Sequence, residues 1–272
     1  MPSEDDIALD EKRVYGDTRQ ETAAYVSAAL GVARVEIAGD QIGRFSLERS
    51  CTATAIAGRD GRLVVGTETD VLLGTEDGFA ATDFGPASAV AVADGTPVAA
   101  GPDGAVARLV GDSWERVGTV ERVHRMDGDL LAASDGVYRV GASLSAVDLA
   151  AAVRDVAAAG PYAATAEGLV TYNGDAWRRV AGGDCTLVAA DGTRAHAVSD
   201  DGLLARRDGD WQVRELPVDA AVADLTHGES LYAVTVDGTF LVFAPSKLTP
   251  DGRGGWGSRA LGVREVTGVA VP

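Results

Sequence analysis

Residues 132–140 read Ala-Ala-Ser-Asp-Gly-Val-Tyr-Arg-Val: a strand of small residues, an acidic residue followed by glycine, and a second strand. An Asp-Gly pair between two such strands is typical of a tight β-hairpin, because that turn needs positive φ at both central residues. The unit recurs, most clearly at 164–172 and 198–206. We expect Asp70, which stands where other copies have glycine, to tolerate a positive φ as well. The turn residue occurs seven times, at intervals of 32 to 39 residues: Gly31, Asp70, Gly104, Gly136, Gly168, Gly202 and Gly238.

Two further elements keep register with this turn. A short strand of small apolar residues lies upstream, for example at 89–93 and 187–190, and a second turn followed by an aromatic residue lies downstream. Seven such units predict an all-β fold, a seven-bladed β-propeller of four-stranded antiparallel blades, with small residues at its narrow centre and bulky residues at its rim. The downstream aromatic residues are Trp114, Trp177, Trp211 and Trp256, with Phe45 and Phe79 in weaker copies.

The two ends of the repeat predict how the ring closes. The stretch 264–271 has the inner-strand pattern but no hairpin after it, and the first copy, 23–37, has a hairpin but no clear inner strand before it. We therefore expect the C-terminal strand to complete the first blade, which removes a free sheet edge. The alternative is that residues 12–16 form that strand. On the preferred interpretation, residues 12–272 form a single propeller domain and residues 1–11 a mobile, acidic N-terminus.

The charge of the chain limits its partners and its setting. Asp and Glu number 41 against 24 Lys and Arg, a formal net charge of −17, and only Lys12 and Lys247 are lysines. Such a surface repels polyanions, so we expect no binding to nucleic acid or to a membrane surface. Excess carboxylates with almost no lysine predict adaptation to a very salty cytoplasm; the alternative is an ordinary acidic protein from a GC-rich genome. We expect a cytoplasmic location, because the apolar runs are too short to cross a bilayer and the N-terminus shows no secretory signal.

The sequence carries no signature of catalysis, metal binding or cofactor binding. It has no Gly-x-Ser-x-Gly elbow, no phosphate-binding Gly-x-x-x-x-Gly-Lys, no Cys-x-x-Cys and no His-x-x-x-His. We expect Cys51 and Cys185 to be free thiols, since units 2 and 6 lie on opposite sides of the ring. His124, His196 and His227 fall in different units, and we expect each to be a lone, satisfied side chain. The sequence therefore predicts no catalytic residue, no metal site and no cofactor.

Charged residues near the starts of the inner strands predict a binding site at one mouth of the central channel. Charges are unexpected in strands otherwise built of alanine and valine, so they indicate a polar mouth that holds a small ligand or an ion. The alternative is salt bridging between adjacent blades together with water. Alignment of the inner strands uses Val123, Val156, Leu187 and Val266. It predicts one layer of Arg122, Asp155, Thr186 and Glu265, and a second layer, one residue earlier, of Glu121, Arg154, Cys185 and Arg264. The candidate ligand-binding residues are Glu121, Arg122, Arg154, Asp155, Thr186, Arg264 and Glu265.

Three functions fit these observations. We prefer a non-enzymatic propeller that binds a protein partner or a small ligand through a face or the channel mouth. The second is a hydrolase or lyase, which needs Arg122, His124, Asp155 and Glu265 to converge at the mouth. A purely structural subunit would instead expose a large apolar patch. The insertion at 244–255 is either a partner contact or a tolerated surface insertion.

Three stretches resemble a known family. They are Lys-Arg-Val-Tyr-Gly-Asp at 12–17, Gly-Val-Ala-Arg-Val at 31–35 and Arg-Leu-Val-Val-Gly-Thr at 62–67. The chain resembles, over nearly its whole length, a group of haloarchaeal seven-bladed β-propeller proteins that have no assigned activity. The resemblance implies the propeller fold and a halophilic cell, and it transfers no catalytic residue.

Overall fold

The fold is a ring of seven four-stranded sheets, or blades, around a central channel. The computed structural model describes residues 21–149, 151–248 and 254–272, and the regular elements in these residues are all β-strands. Within each blade, neighbouring strands are antiparallel and run in order from an inner strand at the channel to an outer strand at the rim. The predicted seven-bladed architecture is therefore confirmed.

The strands are numbered in chain order. Blade 1 contains β28 (Val266–Ala270), β1 (Glu21–Ala28), β2 (Gly31–Ala38) and β3 (Gln41–Ser50). Blade 2 contains β4 (Ala53–Arg59), β5 (Arg62–Thr67), β6 (Val71–Thr75) and β7 (Gly78–Ala81), and blade 3 contains β8 (Ala89–Ala93), β9 (Thr96–Ala100), β10 (Ala105–Val110) and β11 (Ser113–Thr119). Blade 4 contains β12 (Val123–Asp127), β13 (Leu130–Ala133), β14 (Gly136–Val140) and β15 (Leu144–Ala146). Blade 5 contains β16 (Val153–Ala157), β17 (Tyr162–Thr165), β18 (Gly168–Tyr172) and β19 (Trp177–Ala181). Blade 6 contains β20 (Cys185–Ala190), β21 (Ala195–Ser199), β22 (Gly202–Arg207) and β23 (Asp210–Arg214), and blade 7 contains β24 (Val222–His227), β25 (Leu231–Thr235), β26 (Thr239–Leu248) and β27 (Gly254–Ala260).

The C-terminal strand closes the ring, as predicted. β28 pairs antiparallel with β1, and Val269 lies opposite Val26. The hydroxyl of Thr267 donates a hydrogen bond of 2.8 Å to the Ser27 Oγ atom. The last strand of the chain is thus the inner strand of the first blade, and it covers the edge of β1 that would otherwise be unpaired. The alternative strand and the predicted mobile N-terminus fall within residues 1–20, outside the described residues.

The core is divided among the junctions between blades. The described residues form seven hydrophobic clusters, one between each pair of adjacent blades. Between blades 7 and 1, for example, Tyr232, Phe240 and Val26 pack together and are fully buried. Each blade buries both of its faces, so its inner strands are apolar at consecutive positions, as in Ala89–Ala93, where all five residues are buried. Burial on both faces explains why the sequence does not alternate between polar and apolar residues.

Tryptophans of the outer strands tie neighbouring blades together. The indole N–H of Trp114 in β11 donates to the Thr82 carbonyl at 3.2 Å, and that of Trp177 in β19 donates to the Val147 carbonyl at 3.0 Å. Both carbonyls belong to the connection that leaves the preceding blade. An aromatic residue at the rim therefore fills the wide part of a junction and satisfies a carbonyl of the connecting loop.

The expected positive φ at Asp70 was wrong. The described residues with positive φ do not include Asp70. Its carboxylate instead accepts backbone N–H bonds from Val71 and from each residue of the 82–85 connection, at 2.8 to 3.2 Å. Although burial opposes it, these hydrogen bonds together hold the pKa of Asp70 below its usual value. The carboxylate oxygens of Asp70 therefore hold the connection between blades 2 and 3 in place by accepting its N–H bonds.

The insertion at 244–255 lengthens one hairpin. β26 and β27 pair from Thr239 opposite Ala260 out to Leu248 opposite Gly254, with a shift of register on the way. Residues 249–253 lie outside the described residues, so the role of this insertion as a partner contact stays a prediction.

Candidate functional site

The wall of the channel is set by the starts of the inner strands. In every blade the first residue of the inner strand pairs with the last residue of the second strand, as Val123 does with Ala133. In all blades except blade 3 a β-bulge follows at once and leaves one residue unpaired. The unpaired residues are Thr54, His124, Arg154, Thr186, Ala223 and Thr267. The next residues again share a register position, and they are Ala55, Val90, Arg125, Asp155, Leu187, Asp224 and Gly268.

This register corrects the predicted layers. Val153, not Val156, is equivalent to Val123, so Asp155 lies deeper in the channel than predicted. Asp155 shares its level with Arg125 and not with Arg122. In blade 6, Thr186 shares the bulge position with Arg154, and Cys185 shares the first position with Val266. The predicted equivalence of Val123 and Val266 holds, so Arg122 and Glu265 share one position before the strand, and Glu121 and Arg264 share the position before that.

Arg125 crosses the channel. It stands on the inner strand of blade 4, and its Nη1 atom lies 3.1 Å from the Asp224 Oδ1 atom on the inner strand of blade 7. Its Nη2 atom donates to the Ala223 carbonyl at 2.9 Å. Blades 4 and 7 are not neighbours, so this ion pair bridges the lumen. Arg125, Asp155 and Asp224 are called the charged belt below.

The two carboxylates of the belt are placed in the same way. Asp155 is 7% exposed, and its Oδ1 atom accepts the Val156 N–H at 2.9 Å while its Oδ2 atom accepts the Val188 N–H of blade 6 at 2.8 Å. Asp224 is 9% exposed, and its Oδ2 atom accepts the Val269 N–H of blade 1 at 2.8 Å. Each carboxylate therefore staples its own inner strand to that of the next blade.

Burial dominates the electrostatics of the belt. Burial, with a smaller contribution from the nearby Asp224 charge, raises the pKa of Asp155 to about 7 against the opposing effect of the Arg125 guanidinium. Burial also raises the pKa of Asp224, although Arg125 and the backbone N–H groups oppose it. The carboxyl group of Asp155 is therefore partly protonated and partly ionised near neutral pH.

The belt lies midway along a cavity of about 1050 Å³. The upper mouth is the end where the inner strands begin, and Thr54, His124 and Val236 line it. The lower mouth is the opposite end, with Asp127 and His227 in its wall. The channel is therefore polar at both ends and charged at its middle.

Of the seven predicted mouth residues, only Asp155 lines the cavity, and the other six form no single cluster. Arg154 forms an ion pair with Asp184 of the next blade, which is the interblade salt bridge considered as the alternative. The Thr186 hydroxyl donates to the Val198 carbonyl of its own blade at 3.4 Å. The other four are exposed, and their side chains form no hydrogen bond or ion pair with any described residue: Glu121, Arg122, Arg264 and Glu265. Their role in binding a ligand stays a prediction.

Two histidines meet near the lower mouth, so the expectation of lone histidines was wrong for them. The Nδ1 atom of His196 in blade 6 lies 2.8 Å from the Nε2 atom of His227 in blade 7. Burial is the main cause that lowers the pKa of His196 to about 3 and that of His227 to about 4. The charge of His227 contributes to the shift at His196, and the Arg194 charge contributes at both. Sequence reasoning missed the pair because the two residues are 31 positions apart on different strands.

The lower mouth also contains a half-buried carboxylate, that of Asp127. Arg59 of blade 2 donates to the Asp127 Oδ1 atom of blade 4 at 2.7 Å, and the Ala158 N–H donates to Oδ2 at 2.7 Å. Asp127 therefore forms an ion pair with Arg59. His124, at the upper mouth, is exposed and lies 3.0 Å from the Ser134 hydroxyl.

Both cysteines are free thiols. Cys185 is buried in the cluster between blades 5 and 6, and Cys51 is half-buried before β4. Burial raises the pKa of Cys185 to about 11 and also raises that of Cys51. Neither thiol is therefore an activated nucleophile at neutral pH.

Among residues 21–149, 151–248 and 254–272, no three His, Cys, Asp or Glu side chains are grouped so that they could hold a metal ion. Over the same residues, no helix has the length and apolar character that crossing a membrane requires.

Comparison with known proteins agrees with the architecture. The sequence model of one family, described as HVO_0234-like beta propellers, matches residues 8–272. No curated protein matches the sequence at a significant level. The chain is similar to the structure of U3-55K, with a TM-score of 0.61 and 13% identity over 79% of this chain and 89% of that one. It is also similar to the computationally designed Ika8 protein, with a TM-score of 0.58 and 15% identity over 82% and 84% of the two chains. A nidogen/laminin complex gives a TM-score of 0.57 and 11% identity over 92% and 98%. At these identities the likeness shows the propeller fold alone.

Proposed function

The chain belongs to the HVO_0234-like beta-propeller family, and from that premise we propose that it is a non-enzymatic binding module whose channel holds a small polar ligand. The observation that carries this proposal is the charged belt of Arg125, Asp155 and Asp224. It interrupts inner strands built mainly of alanine and valine, and it faces a cavity of about 1050 Å³. Pockets that enclose small molecules are commonly about 300–1,000 Å³ and carry a few convergent polar groups.

The arrangement favours binding over catalysis. The four residues that a hydrolase or lyase would need are joined by no hydrogen bond or ion pair: Arg122, His124, Asp155 and Glu265. The carboxylates of the belt have their oxygens occupied by backbone N–H groups, which fixes their orientation. Groups held in this way suit the recognition of a ligand that arrives with complementary charge.

The setting we propose is a salty cytoplasm. A net charge of −17 disfavours partners that are polyanions, such as nucleic acid and anionic membranes. Counter-ions at high concentration screen the repulsion among the surface carboxylates. The binding partners in this setting are therefore small molecules or proteins.

A dialysis experiment tests the channel as a ligand site. The protein, in 2 M KCl, is equilibrated with a defined mixture of amino acids, polyamines, sugars, organic acids and nucleotides, and the retained compounds are identified by mass spectrometry. Val236, in the upper mouth, is 49% exposed, so a tryptophan there narrows the entrance without disturbing the core. Val213, 56% exposed on β23, provides the matched control.

We expect Val236→Trp to reduce retention of the bound compound by at least tenfold and Val213→Trp to leave it unchanged. Retention of no compound, or equal retention by the two variants, would contradict a ligand site in the channel.

A protein partner is the second candidate. Leu30 is 60% exposed in the hairpin turn of blade 1, and Val236 is exposed in the corresponding turn of blade 7, on the same side of the ring. Two apolar side chains on adjacent blades offer a minimal contact for another protein. Cross-linking at high salt tests this: one defined protein should be captured by wild type and lost in Leu30→Asp, and a capture profile unaffected by Leu30→Asp would count against it.

A further inference from the structure

Asp155 and Asp224 occupy equivalent positions in their blades and differ in one respect. Each follows the bulge of its inner strand. Each also accepts one backbone N–H bond from the next blade, Asp155 from Val188 and Asp224 from Val269. The outward oxygen of Asp224 also lies 3.1 Å from the Arg125 guanidinium. No side-chain nitrogen of any described residue forms an ion pair with Asp155.

The lack of an ion pair matters because this carboxylate is buried, and Arg125, whose charge also acts on it, is already paired with Asp224. Asp155 is 7% exposed and borders the open channel. An ionised carboxylate away from bulk water is costly unless a cation accompanies it. Two other carboxylates of the channel wall have one: the buried Asp224 pairs with Arg125, and the half-buried Asp127 pairs with Arg59.

The staple alone does not account for an aspartate at this position. The equivalent residues of the five other blades carry no carboxylate, and their junctions close all the same. Those residues are Ala55, Val90, Arg125, Leu187 and Gly268. A propeller junction therefore forms without the carboxylate, which leaves its charge to be explained.

We propose that Asp155 binds a cationic nitrogen group of the channel ligand, an ammonium or a guanidinium. This inference rests on the proposed function, because it needs a ligand in the channel. Asp224 shows which group this position binds. The guanidinium of Arg125 lies against Asp224, and the corresponding site at Asp155 faces the lumen. An N–H donor suits the oxygen of Asp155 better than a bare metal ion does, because each oxygen already accepts one backbone N–H and has one direction left.

The ligand is held from two sides of the channel. Arg125 keeps 30% of its side chain exposed to the lumen while it pairs with Asp224. Its guanidinium has five N–H donors and uses only some of them within the protein. Because Asp224 already balances the charge of Arg125, a cationic nitrogen at Asp155 is sufficient for binding, and an acceptor oxygen of the ligand against Arg125 adds to it.

The test compares three probes of equal chain length by isothermal titration calorimetry at constant ionic strength. The probes are putrescine, a dication, 1,4-butanediol, its uncharged counterpart, and succinate, a dianion. We expect saturable binding of putrescine, and binding at least tenfold weaker for the other two. Asp155→Asn should weaken putrescine binding at least tenfold. Asp175→Asn, an exposed change of the same kind in the same blade, should leave it within twofold.

Several results would overturn the assignment. They are an equal affinity of putrescine and butanediol, no saturable putrescine binding, and an unchanged affinity in a folded Asp155→Asn variant. A more than twofold change on replacing KCl by NaCl would assign the position to an alkali ion instead. If Asp155→Asn fails to fold, the wild-type probe series remains decisive when paired with Val236→Trp and Val213→Trp. Succinate or butanediol binding that Val236→Trp blocks would leave the channel as a ligand site and refute only the cationic assignment.

Discussion

Acidification should destabilise the propeller through the pair of His196 and His227. His196 is buried and His227 is half-buried between blades 6 and 7, and their pKa values in the folded state are about 3 and about 4. In the unfolded chain a histidine has a pKa of about 6.5. The folded state therefore binds fewer protons than the unfolded state between these values. The stability from the pair is complete above pH 6.5 and is lost as the pH falls toward 4.

The magnitude follows from this gap. Between pH 7 and pH 5 the unfolded chain takes up a proton on each imidazole and the folded protein does not. At about 1.4 kcal/mol per pH unit below 6.5, each histidine costs about 2 kcal/mol of unfolding free energy at pH 5, and the pair about 4 kcal/mol. Asp155 acts in the opposite direction, because its raised pKa of about 7 lets the folded state take up a proton that the unfolded state does not. The wild-type change alone therefore understates the effect of the histidines.

A double variant isolates the pair. His196→Asn and His227→Gln keep polar atoms near the bonded Nδ1 and Nε2 positions but do not titrate. Urea unfolding is followed by tryptophan fluorescence in 2 M KCl at pH 7 and pH 5. The loss of unfolding free energy between these pH values should be smaller in the double variant by about 4 kcal/mol. His124→Gln, at an exposed histidine, should change it by less than about 0.5 kcal/mol. An equal loss in wild type and double variant would refute the reasoning, because it would show that the pair accepts protons freely while folded.

Three further predictions concern the fold. Deletion of residues 264–272 removes the inner strand of blade 1 and should abolish the cooperative thermal transition seen by circular dichroism; an unchanged melting temperature would contradict the closure. Asp70→Ala should lower the unfolding free energy by about 3 kcal/mol, because five backbone N–H groups lose a charged acceptor, whereas exposed Asp77→Ala should be nearly neutral. Removal of KCl should destabilise the protein, because the net charge of −17 is then unscreened, and equal stability in 0.05 M and 2 M KCl would argue against adaptation to salt.

The blade pattern could be predicted from the sequence because its landmark has a steric cause. At Gly104 a Cβ atom would lie 1.9 Å from the Val120 carbonyl oxygen, and at Gly238 one would lie 2.2 Å from the Val263 carbonyl oxygen. In both blades the third strand begins against the chain that leaves the outer strand, so only glycine fits. This contact recurs in blade after blade and therefore appears in the sequence as a period. The Asp70 copy departs from it because its side chain has a different task.

The charged belt could not be predicted with the same method, because its position depends on bulges that leave no mark in the composition. The stretch from Ala151 to Gly160 is rich in alanine, so matching by small residues aligns it equally well at Val153 and at Val156. The three-residue difference decides whether Asp155 joins Arg122 at the mouth or Arg125 at the centre. A strand carries side chains to alternate sides, and a bulge reverses that order from its own position onward. The hairpin glycines indicate the register of the second and third strands. They do not indicate the register of the inner strand, because a bulge shifts it relative to the second strand. The spacing of the hairpin glycines therefore locates the blades of this propeller. It does not fix the register of the inner strands, on which the proposed binding groups lie.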